Sequence, residues 1–303
     1  MPPACLCIRP ARFGLHAESA STNAYVRAPD ADDDTIARRG REEANGLIAA
    51  LTDAGVDVLA LDEHDKAGAP CPDSVFPNNW FSVHDVAGER VLVLYPMHDE
   101  ARRRERWGDL RERLTGAGVR TDRVIDLTAH EHAGCALEGT GSLVFDHTRR
   151  VVYAARSPRT DEALVREFAP RLGVEPVVFD AADVTGTPVY HTNVLMTVAD
   201  TFAIACLERI ASGREAVRAH LTDGGRALVE IAPEQMDRFC ANAIALPTTA
   251  GGQVLAMSTT AHDALTPDQR RALSRHAALL PVTIPTIEHV GGGSVRCMIA
   301  ALP

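Results

Sequence analysis

The chain ends in a segment whose residue types suit thiol chemistry. Three consecutive glycines, Gly291-Gly292-Gly293, precede Ser294-Val295-Arg296-Cys297. Glycines let the backbone adopt positive φ and approach a ligand closely. The apolar residues from 295 to 302 predict a buried strand with Cys297 at its entrance. Free cysteines are often inert core residues, so other segments must decide whether this one is a nucleophile.

Two further residues would complete a thiol-based site. His191 opens the segment His191-Thr192-Asn193 before an apolar strand, and Glu138 lies in the small-residue turn 137–142. A histidine can exchange a proton with a cysteine, and a carboxylate can orient that histidine and favour its imidazolium. These groups commonly meet only in the folded chain. We therefore predict Cys297 as nucleophile, His191 as acid and base, and Glu138 as the orienting group.

The elements that must position these residues recur along the chain. Helical patterns ending in glycine or turn residues run into short apolar strands at residues 55–61, 118–119, 173–179, 225–229 and 281–284. Apolar hairpins are predicted between these units at residues 80–95, 142–155, 194–207 and 243–257. The segment 295–302 has no following partner. We predict that it pairs with residues 4–8, which would remove an exposed sheet edge.

Five repeats of a strand, a hairpin and a helix predict a five-bladed α/β propeller, formed by residues 1–303 as a single catalytic domain. A doubly wound parallel sheet is the rival interpretation, but hairpins between the helices are inconsistent with an all-parallel core. The polar or reactive residues just before each hairpin would converge at one end of the propeller axis. They are Asn78, Asn79, Glu138, His191, Asn193, Asn242 and Cys297.

Composition narrows the class of partner. A formal net charge of −10 argues against nucleic acid and anionic membranes, so small molecules are the expected ligands.

Without a long apolar run or a signal-peptide pattern, we expect a cytoplasmic protein. Seven scattered cysteines fit reduced thiols. We expect neither cofactor nor metal, since His130-Glu131-His132 lacks a supporting metal-binding frame. The oligomeric state stays open, and a homo-oligomer is compatible.

The motifs around these residues resemble the guanidine-modifying enzymes: arginine deiminase, agmatine deiminase, dimethylarginine dimethylaminohydrolase and the amidinotransferases. The resemblance rests on the Gly-Gly-Gly-x-x-x-Cys segment, on His191-x-Asn193 and on Glu138-Gly139. Segments 9–14, 21–24, 76–82 and 137–142 are similar to the citrulline utilisation hydrolase branch. The resemblance spans essentially the whole chain. It implies a five-bladed propeller and hydrolysis through a covalent cysteine intermediate.

The resemblance also implies substrate-binding residues. Ser157-Pro158-Arg159-Thr160 resembles a motif whose arginine holds the α-carboxylate in dimethylarginine hydrolases, which implies that role for Arg159. The resemblance implies the same role for Arg102. Relatives that bind a guanidinium clamp it with two carboxylates. At the corresponding positions this chain has Asn79, which follows Asn78, and Asn193.

Neutral amides at those positions favour a neutral substrate. A guanidinium buried against amides would lose hydration without gaining a counter-charge, whereas an amide can donate to a ureido oxygen and accept from ureido nitrogens. Citrulline or a close ureido relative is therefore the predicted substrate. Hydrolysis or deimination of arginine or another guanidino compound, and amidinotransfer, remain alternatives. A catalytically silent amino-acid-binding protein is the non-enzyme alternative, and the intact Cys297, His191 and Glu138 argue against it. The polar segment 21–34 is long enough to form a lid.

Overall fold

The computed structural model describes residues 4–63 and 71–302. The expectation that the chain lacks a leader involves residues 1–3, which lie outside the described residues. Within the described ranges the strands form five small sheets. The strands are β1 (Cys5–Arg9), β2 (Val58–Asp62), β3 (Phe81–Val86), β4 (Glu89–Leu94), β5 (Arg123–Asp126), β6 (Val144–Asp146), β7 (Val151–Ala155), β8 (Glu175–Ala181), β9 (Met196–Val198), β10 (Phe202–Ala205), β11 (Ile210–Ser212), β12 (Ala227–Glu230), β13 (Ile244–Pro247), β14 (Gln253–Ser258), β15 (Ala278–Val282) and β16 (Ala300–Ala301).

Helices connect and cover these sheets. The α-helices are α1 (Ala17–Ala20), α2 (Asp33–Asp53), α3 (Leu110–Gly116), α4 (Gly139–Ser142), α5 (Glu162–Phe168), α6 (Thr192–Leu195), α7 (Arg214–Thr222), α8 (Pro233–Met236), α9 (Thr259–Ala264) and α10 (Pro267–Leu273). Short 3-10 segments cover Pro77–Asn79, Ala101–Glu105, Thr128–Ala133, Ala169–Leu172, Leu207–Arg209, Asp223–Gly225 and Val295–Met298, and a π-helical turn covers Ile287–Gly291. None of the helices in the described part of the chain is both long and apolar enough to cross a membrane.

One strand arrangement recurs in all five sheets. An antiparallel pair is extended by a third strand that runs parallel to the middle one, as in β3-β4-β5 and β13-β14-β15. The other sheets are β16-β1-β2, β9-β10-β12 and β6-β7-β8, the last extended by β11. The four predicted hairpins are confirmed. The fold is thus mixed α/β with five similar sheets, and a doubly wound parallel sheet is ruled out.

The two ends of the described chain meet in one sheet. Strand β16 pairs antiparallel with β1 through Cys5 opposite Ala301 and Leu6 opposite Ala300, which confirms the predicted pairing of the termini. The prediction of a continuous strand over 295–302 is wrong. Residues Val295–Met298 instead form a 3-10 turn, closed by the backbone bond from Cys297 N to Ser294 O. The apolar side chains are buried in a turn as well as they would be in a strand, so hydrophobicity did not separate the two.

A second boundary also differs from the prediction. The strand placed at 281–284 is β15, Ala278–Val282, so it begins earlier and includes Pro281 near its end. Strand β15 lies at the edge of its sheet, bonded to β14 on one side. An edge position tolerates proline because the missing N–H need not serve a neighbouring strand.

Local sequence explains the long helix α2. Asp32 accepts a hydrogen bond from Thr35 N at its N-terminus, and two aspartates in the first turn complement the positive end of the helix dipole. Its buried residues recur with helical spacing, and the helix packs against β1, β2 and β15. Gly40 is required there, because a Cβ would lie 2.5 Å from Cδ1 of Phe13. Packing at this position places the segment 9–14 against the core.

One cavity of about 490 Å³ is lined by the first strand of every hairpin and by β16. These strands, β3, β6, β9, β13 and β16, come from the five different sheets. His84 on β3 is buried in this region, with Nε2 2.6 Å from Ser82 Oγ and its ring 4.5 Å from the ring of Phe145. Burial, with a smaller effect of His147, lowers the pKa of His84 to about 3.

We expect His84 to make the fold sensitive to acid. The folded pKa lies below the unfolded value of about 6.5, so the unfolded chain takes up the proton first and stability falls as the pH drops below about 6.5. From about pH 7 to about pH 5 this loss is about 2 kcal/mol. Denaturant unfolding at both pH values measures this change. Between them, the free energy of unfolding of His84→Gln should fall by about 2 kcal/mol less than that of wild type. The exposed His132→Gln should behave as wild type, and an equal loss in all three proteins would contradict the prediction.

Candidate active site

Short turns before β3, β6, β9, β13 and β16, called the inner strands from here on, bring the predicted residues together. Asn78 and Asn79 lie in the 3-10 turn before β3, Glu138 directly precedes the turn α4, His191 directly precedes α6, and Cys297 lies in the turn before β16. The fifth position, before β13, holds Asn242. Contacts between the turns are close, since a Cβ at Gly139 would lie 2.3 Å from the backbone oxygen of Asn78. Each of these side chains is at most 3% exposed.

His191 and Cys297 line the same cavity, and Glu138 contacts the histidine. Nε2 of His191 is 2.9 Å from Oε2 of Glu138. Sγ of Cys297 lies 3.3 Å from Nδ2 of Asn242 and 3.7 Å from Nδ2 of Asn193. The structure therefore places a thiol and an imidazole in the wall of one cavity, with a carboxylate bonded to the imidazole and two amides next to the sulfur.

The charges around Glu138 keep it ionised. Burial acts to raise the pKa of Glu138, but the charge of Arg159, the hydrogen bond to His191 and the charge of Arg102 hold it well below its usual range. Burial has the larger effect on His191 and lowers its pKa, although the hydrogen bond and charge of Glu138 act to raise it. The ligand-free site thus favours a neutral imidazole, and the sequence-based hypothesis of a resting imidazolium is not supported. Burial of His191 could not be deduced from its position in the sequence.

The two predicted arginines are both buried and lie in the cavity wall. Arg159 donates to Thr22 Oγ1 at 2.7 Å and contacts Asp99 Oδ2 at 3.3 Å and Glu138 Oε2 at 3.2 Å. Arg102 makes two hydrogen bonds of 2.9 Å to the carboxylate of Glu105. Both guanidinium groups are therefore fixed by carboxylates before any ligand arrives.

The cavity also contains residues that sequence reasoning missed. Asp73 lines it, and Oδ2 of this residue accepts hydrogen bonds from Ser19 at 2.9 Å and contacts His16 Nδ1 at 2.9 Å. Burial acts to raise the pKa of Asp73, but His16 and Arg102 hold it below its usual value. The only sequence signal was its place in Pro72-Asp73-Ser74, shortly before the asparagine turn. The remaining cavity residues not predicted are Ser19, Asn23, Phe76 and Tyr190.

The three predicted asparagines have different surroundings. Asn79 lines the cavity, and its Oδ1 accepts from Nη1 of Arg102 at 3.0 Å. Its Nδ2 has no hydrogen-bond partner among residues 4–63 and 71–302, and the same holds for both side-chain polar atoms of Asn78. Asn193 lies beneath Cys297 and donates to the backbone oxygen of Thr140 at 3.1 Å. Asn79 is thus the amide best placed to meet a ligand.

Gly141 makes room for this arrangement. A Cβ there would lie 2.5 Å from Nδ2 of Asn79 and 2.8 Å from the ring of His191. The backbone of α4 therefore packs directly against both side chains.

The segment 21–34 covers the nucleophile loop. Nδ2 of Asn23 donates to the backbone oxygen of Gly292 at 3.0 Å, and the backbone N of Arg27 donates to the oxygen of His289 at 2.8 Å. Tyr190 OH also donates to Gly292 O, at 2.8 Å. Together with the contact of Thr22 with Arg159, these bonds hold part of the segment against the residues that line the cavity, and its role as a lid stays a prediction.

Comparisons with known proteins identify the family of this chain. A family model described as "N,N dimethylarginine dimethylhydrolase, eukaryotic" matches residues 9–303. The chain belongs to this family, and with it to the guanidine-modifying superfamily of hydrolases that act on linear carbon–nitrogen bonds. The predicted superfamily is thereby confirmed, while the citrulline utilisation branch stays a prediction. No curated protein matches the chain.

Solved structures with the same fold cover almost the whole chain. The N-terminal domain of ArgZ, an arginine dihydrolase from the ornithine–ammonia cycle in cyanobacteria, is 14% identical with a TM-score of 0.73, over 98% of this chain and 97% of that one. Unliganded AgrE is 17% identical with a TM-score of 0.74, over 99% of this chain but only 39% of AgrE. A dimethylarginine dimethylaminohydrolase adduct is 17% identical with a TM-score of 0.66, over 99% and 100%. These likenesses show a shared fold.

Proposed function

We propose that the protein hydrolyses the ureido group of citrulline to give ornithine, carbon dioxide and ammonia. The observation that carries the proposal is the orientation of Asn79 in the cavity with Cys297. Because Arg102 occupies Oδ1 of Asn79, the group left without a partner is the Nδ2 donor. A ureido oxygen is an acceptor that satisfies such a donor.

A guanidinium group fits this donor poorly. All of its polar atoms are N–H donors, so it cannot accept a hydrogen bond from Nδ2 of Asn79. Leaving a buried donor unpaired costs about 1–3 kcal/mol. The neutral amides of Asn79 and Asn193 also provide no counter-charge for a cation. The ureido group avoids both costs.

The charged residues of the cavity suit the other end of an amino acid. Arg159 and Arg102 are guanidinium groups in the cavity wall that can bind an α-carboxylate. Two cationic groups in one small cavity support a ligand that carries a carboxylate.

The reaction begins with proton transfer inside the site. Neutral His191 takes the proton of Cys297 as the substrate binds, and the thiolate attacks the ureido carbon. The carbon–nitrogen bond to the side-chain nitrogen then breaks, and His191 returns the proton to the leaving amine. Ornithine departs and Cys297 carries a carbamoyl group. His191 deprotonates a water that attacks this group, the thiolate leaves, and the carbamate released decomposes to carbon dioxide and ammonia. Glu138 holds His191 in position throughout.

Arginine is the second candidate substrate. Asp73 provides a carboxylate in the cavity that sequence analysis did not anticipate, and it could pair with a cationic group. ArgZ, which has the same fold, is described as an arginine dihydrolase. Against this candidate, Asp73 is already bonded to Ser19 and His16 and lies 3.7 Å from Nε of Arg102.

Ornithine release from citrulline and, separately, from arginine tests the proposal, with Cys297→Ala as the blank. Release from citrulline alone would support it. Release from arginine at an equal or higher kcat/KM would overturn the choice of substrate and leave a guanidino hydrolase. Release from neither compound would exclude both citrulline and arginine as substrates.

Changing Asn79 should alter substrate choice. We expect Asn79→Asp to lower kcat/KM for citrulline by about tenfold or more, because the amide donor is lost, and to tighten arginine binding by a similar factor through a charge-assisted hydrogen bond. Steady-state kinetics with citrulline and calorimetric titration with arginine would measure the two effects. Asn45→Asp, an exposed change that faces Arg9, is the matched control. Unchanged arginine affinity in a folded Asn79→Asp protein would contradict the prediction.

We also propose that the five sheets surround one axis as a closed five-bladed propeller, formed by one catalytic domain over residues 1–303. The cavity lined by the inner strand of every sheet supports this arrangement. A crystal structure in which one sheet lies apart from the other four would contradict it.

A further inference from the structure

Asn242 contacts the sulfur of Cys297 and has no assigned role in the reaction above. It precedes β13, is fully buried, and its Nδ2 lies 3.3 Å from Cys297 Sγ. The same nitrogen lies 3.2 Å from both the backbone oxygen and Oδ1 of Asn193. Turning the amide over would place Oδ1 of Asn242 against two oxygens, so the nitrogen must face this side. Its orientation is therefore set by Asn193.

The two protonation states of the sulfur use this amide differently. Oδ1 of Asn242 lies 3.5 Å from Sγ and can accept from the thiol, whereas a thiolate can only accept, and Nδ2 can donate to it. The two protons of Nδ2 serve three acceptors. A negatively charged sulfur is the strongest of these, because hydrogen bonds to ionised acceptors are roughly twice as strong as neutral ones.

The backbone holds Asn242 against the nucleophile turn. Its oxygen accepts from Arg296 N at 3.4 Å, and its N–H donates to Phe239 O at 2.8 Å. Oγ1 of Thr197 donates to the backbone oxygens on both sides of it, Ala241 at 2.8 Å and Ala243 at 2.6 Å. A donor held by packing needs no reorganisation when the thiolate forms.

We propose that Asn242 is the hydrogen-bond donor that stabilises the Cys297 thiolate. Burial lowers the pKa of His191, which makes fixed donors next to the sulfur more important for its charge. This inference rests on the proposed role of Cys297 as nucleophile. It adds a residue from the turn before β13, so that all five turns contribute to the site.

The test is the pH midpoint of thiolate formation, measured by ultraviolet absorbance. For each protein, the absorbance of the same protein carrying Cys297→Ser is subtracted. The signals of the other cysteines and the tyrosines then cancel. We expect Asn242→Ala to raise the midpoint by about one pH unit, the tenfold change expected for one hydrogen bond to a charged group. Asn242→Asp has the same shape but lacks the donor and adds negative charge, so its shift should be larger.

Thr197→Val is the matched structural control. It removes both hydrogen bonds to the backbone around Asn242 without touching the sulfur, so it should lower the melting temperature and leave the midpoint unchanged. A wild-type midpoint in folded Asn242→Asp would overturn the proposal, as would an equal shift in Thr197→Val. If Asn242→Ala fails to fold, Asn242→Leu, which is of similar size and uncharged but has no donor, decides the question. The titration needs no substrate, so it tests the role of Asn242 independently of the proposed function. The proposed function is tested separately and would be wrong if Cys297→Ala still released ornithine.

Discussion

Replacing Cys297 by alanine should abolish turnover while leaving the fold intact. The scheme requires a carbon–sulfur bond to this residue, and removal of a catalytic nucleophile lowers kcat by about 10⁴-fold or more. The side chain is small and 3% exposed, so the loss of one sulfur should cost little stability. Ornithine release under single-turnover and steady-state conditions would measure the effect, with circular dichroism and melting temperature as tests of folding.

Cys206→Ala is the matched control for this experiment. Cys206 is also free and fully buried, but it follows β10 and belongs to the hydrophobic core. We expect it to retain wild-type turnover. Mass spectrometry of wild type quenched during turnover should show a carbamoyl group on the peptide that contains Cys297. Wild-type-like activity of Cys297→Ala would exclude the covalent mechanism altogether.

The second large effect is expected at Glu138. Glu138→Gln keeps the shape of the side chain but removes the charge that orients His191 and opposes Arg159. We expect kcat to fall by about 10²–10³-fold, within the range attributed to positioned acid–base groups. The loss should be smaller than for Cys297→Ala, because the nucleophile remains.

A pH profile separates this role from a purely structural one. Without the carboxylate, nothing opposes the effect of burial on His191, so its pKa should fall further and the acidic limb of the kcat profile should move to lower pH. Glu131→Gln is the control, a carboxylate-to-amide change in an ion pair with Arg106 away from the cavity. A profile of wild-type shape and height for Glu138→Gln would show that this residue does not act through His191.

Local patterns in the sequence determined the repeating elements. Glycine and turn residues between apolar runs predicted four hairpins correctly, because the alternation of a strand and the residues of a tight turn are local properties. The same patterns placed Glu138, His191 and Cys297 directly before inner strands. Their convergence then followed from the repeat, and the structure brings all three together.

Only the tertiary structure decided what surrounds those residues. Asp73 contacts Ser19, 54 residues away, and Arg159 contacts Thr22, 137 residues away. Such pairs depend on how different sheets pack, and no local pattern records them. The orientation of Asn79 likewise depends on Arg102 from a separate turn.

The protonation of His191 and the turn that carries Cys297 depended on the same long-range packing. Burial by several segments sets the pKa of His191, and hydrophobicity alone could not distinguish the 3-10 turn Val295–Met298 from a strand. The sequence by itself therefore determined which residues could react and which elements present them. The free donor of Asn79 and the fixed charges of the arginines arise only when five sheets place distant side chains within hydrogen-bonding distance.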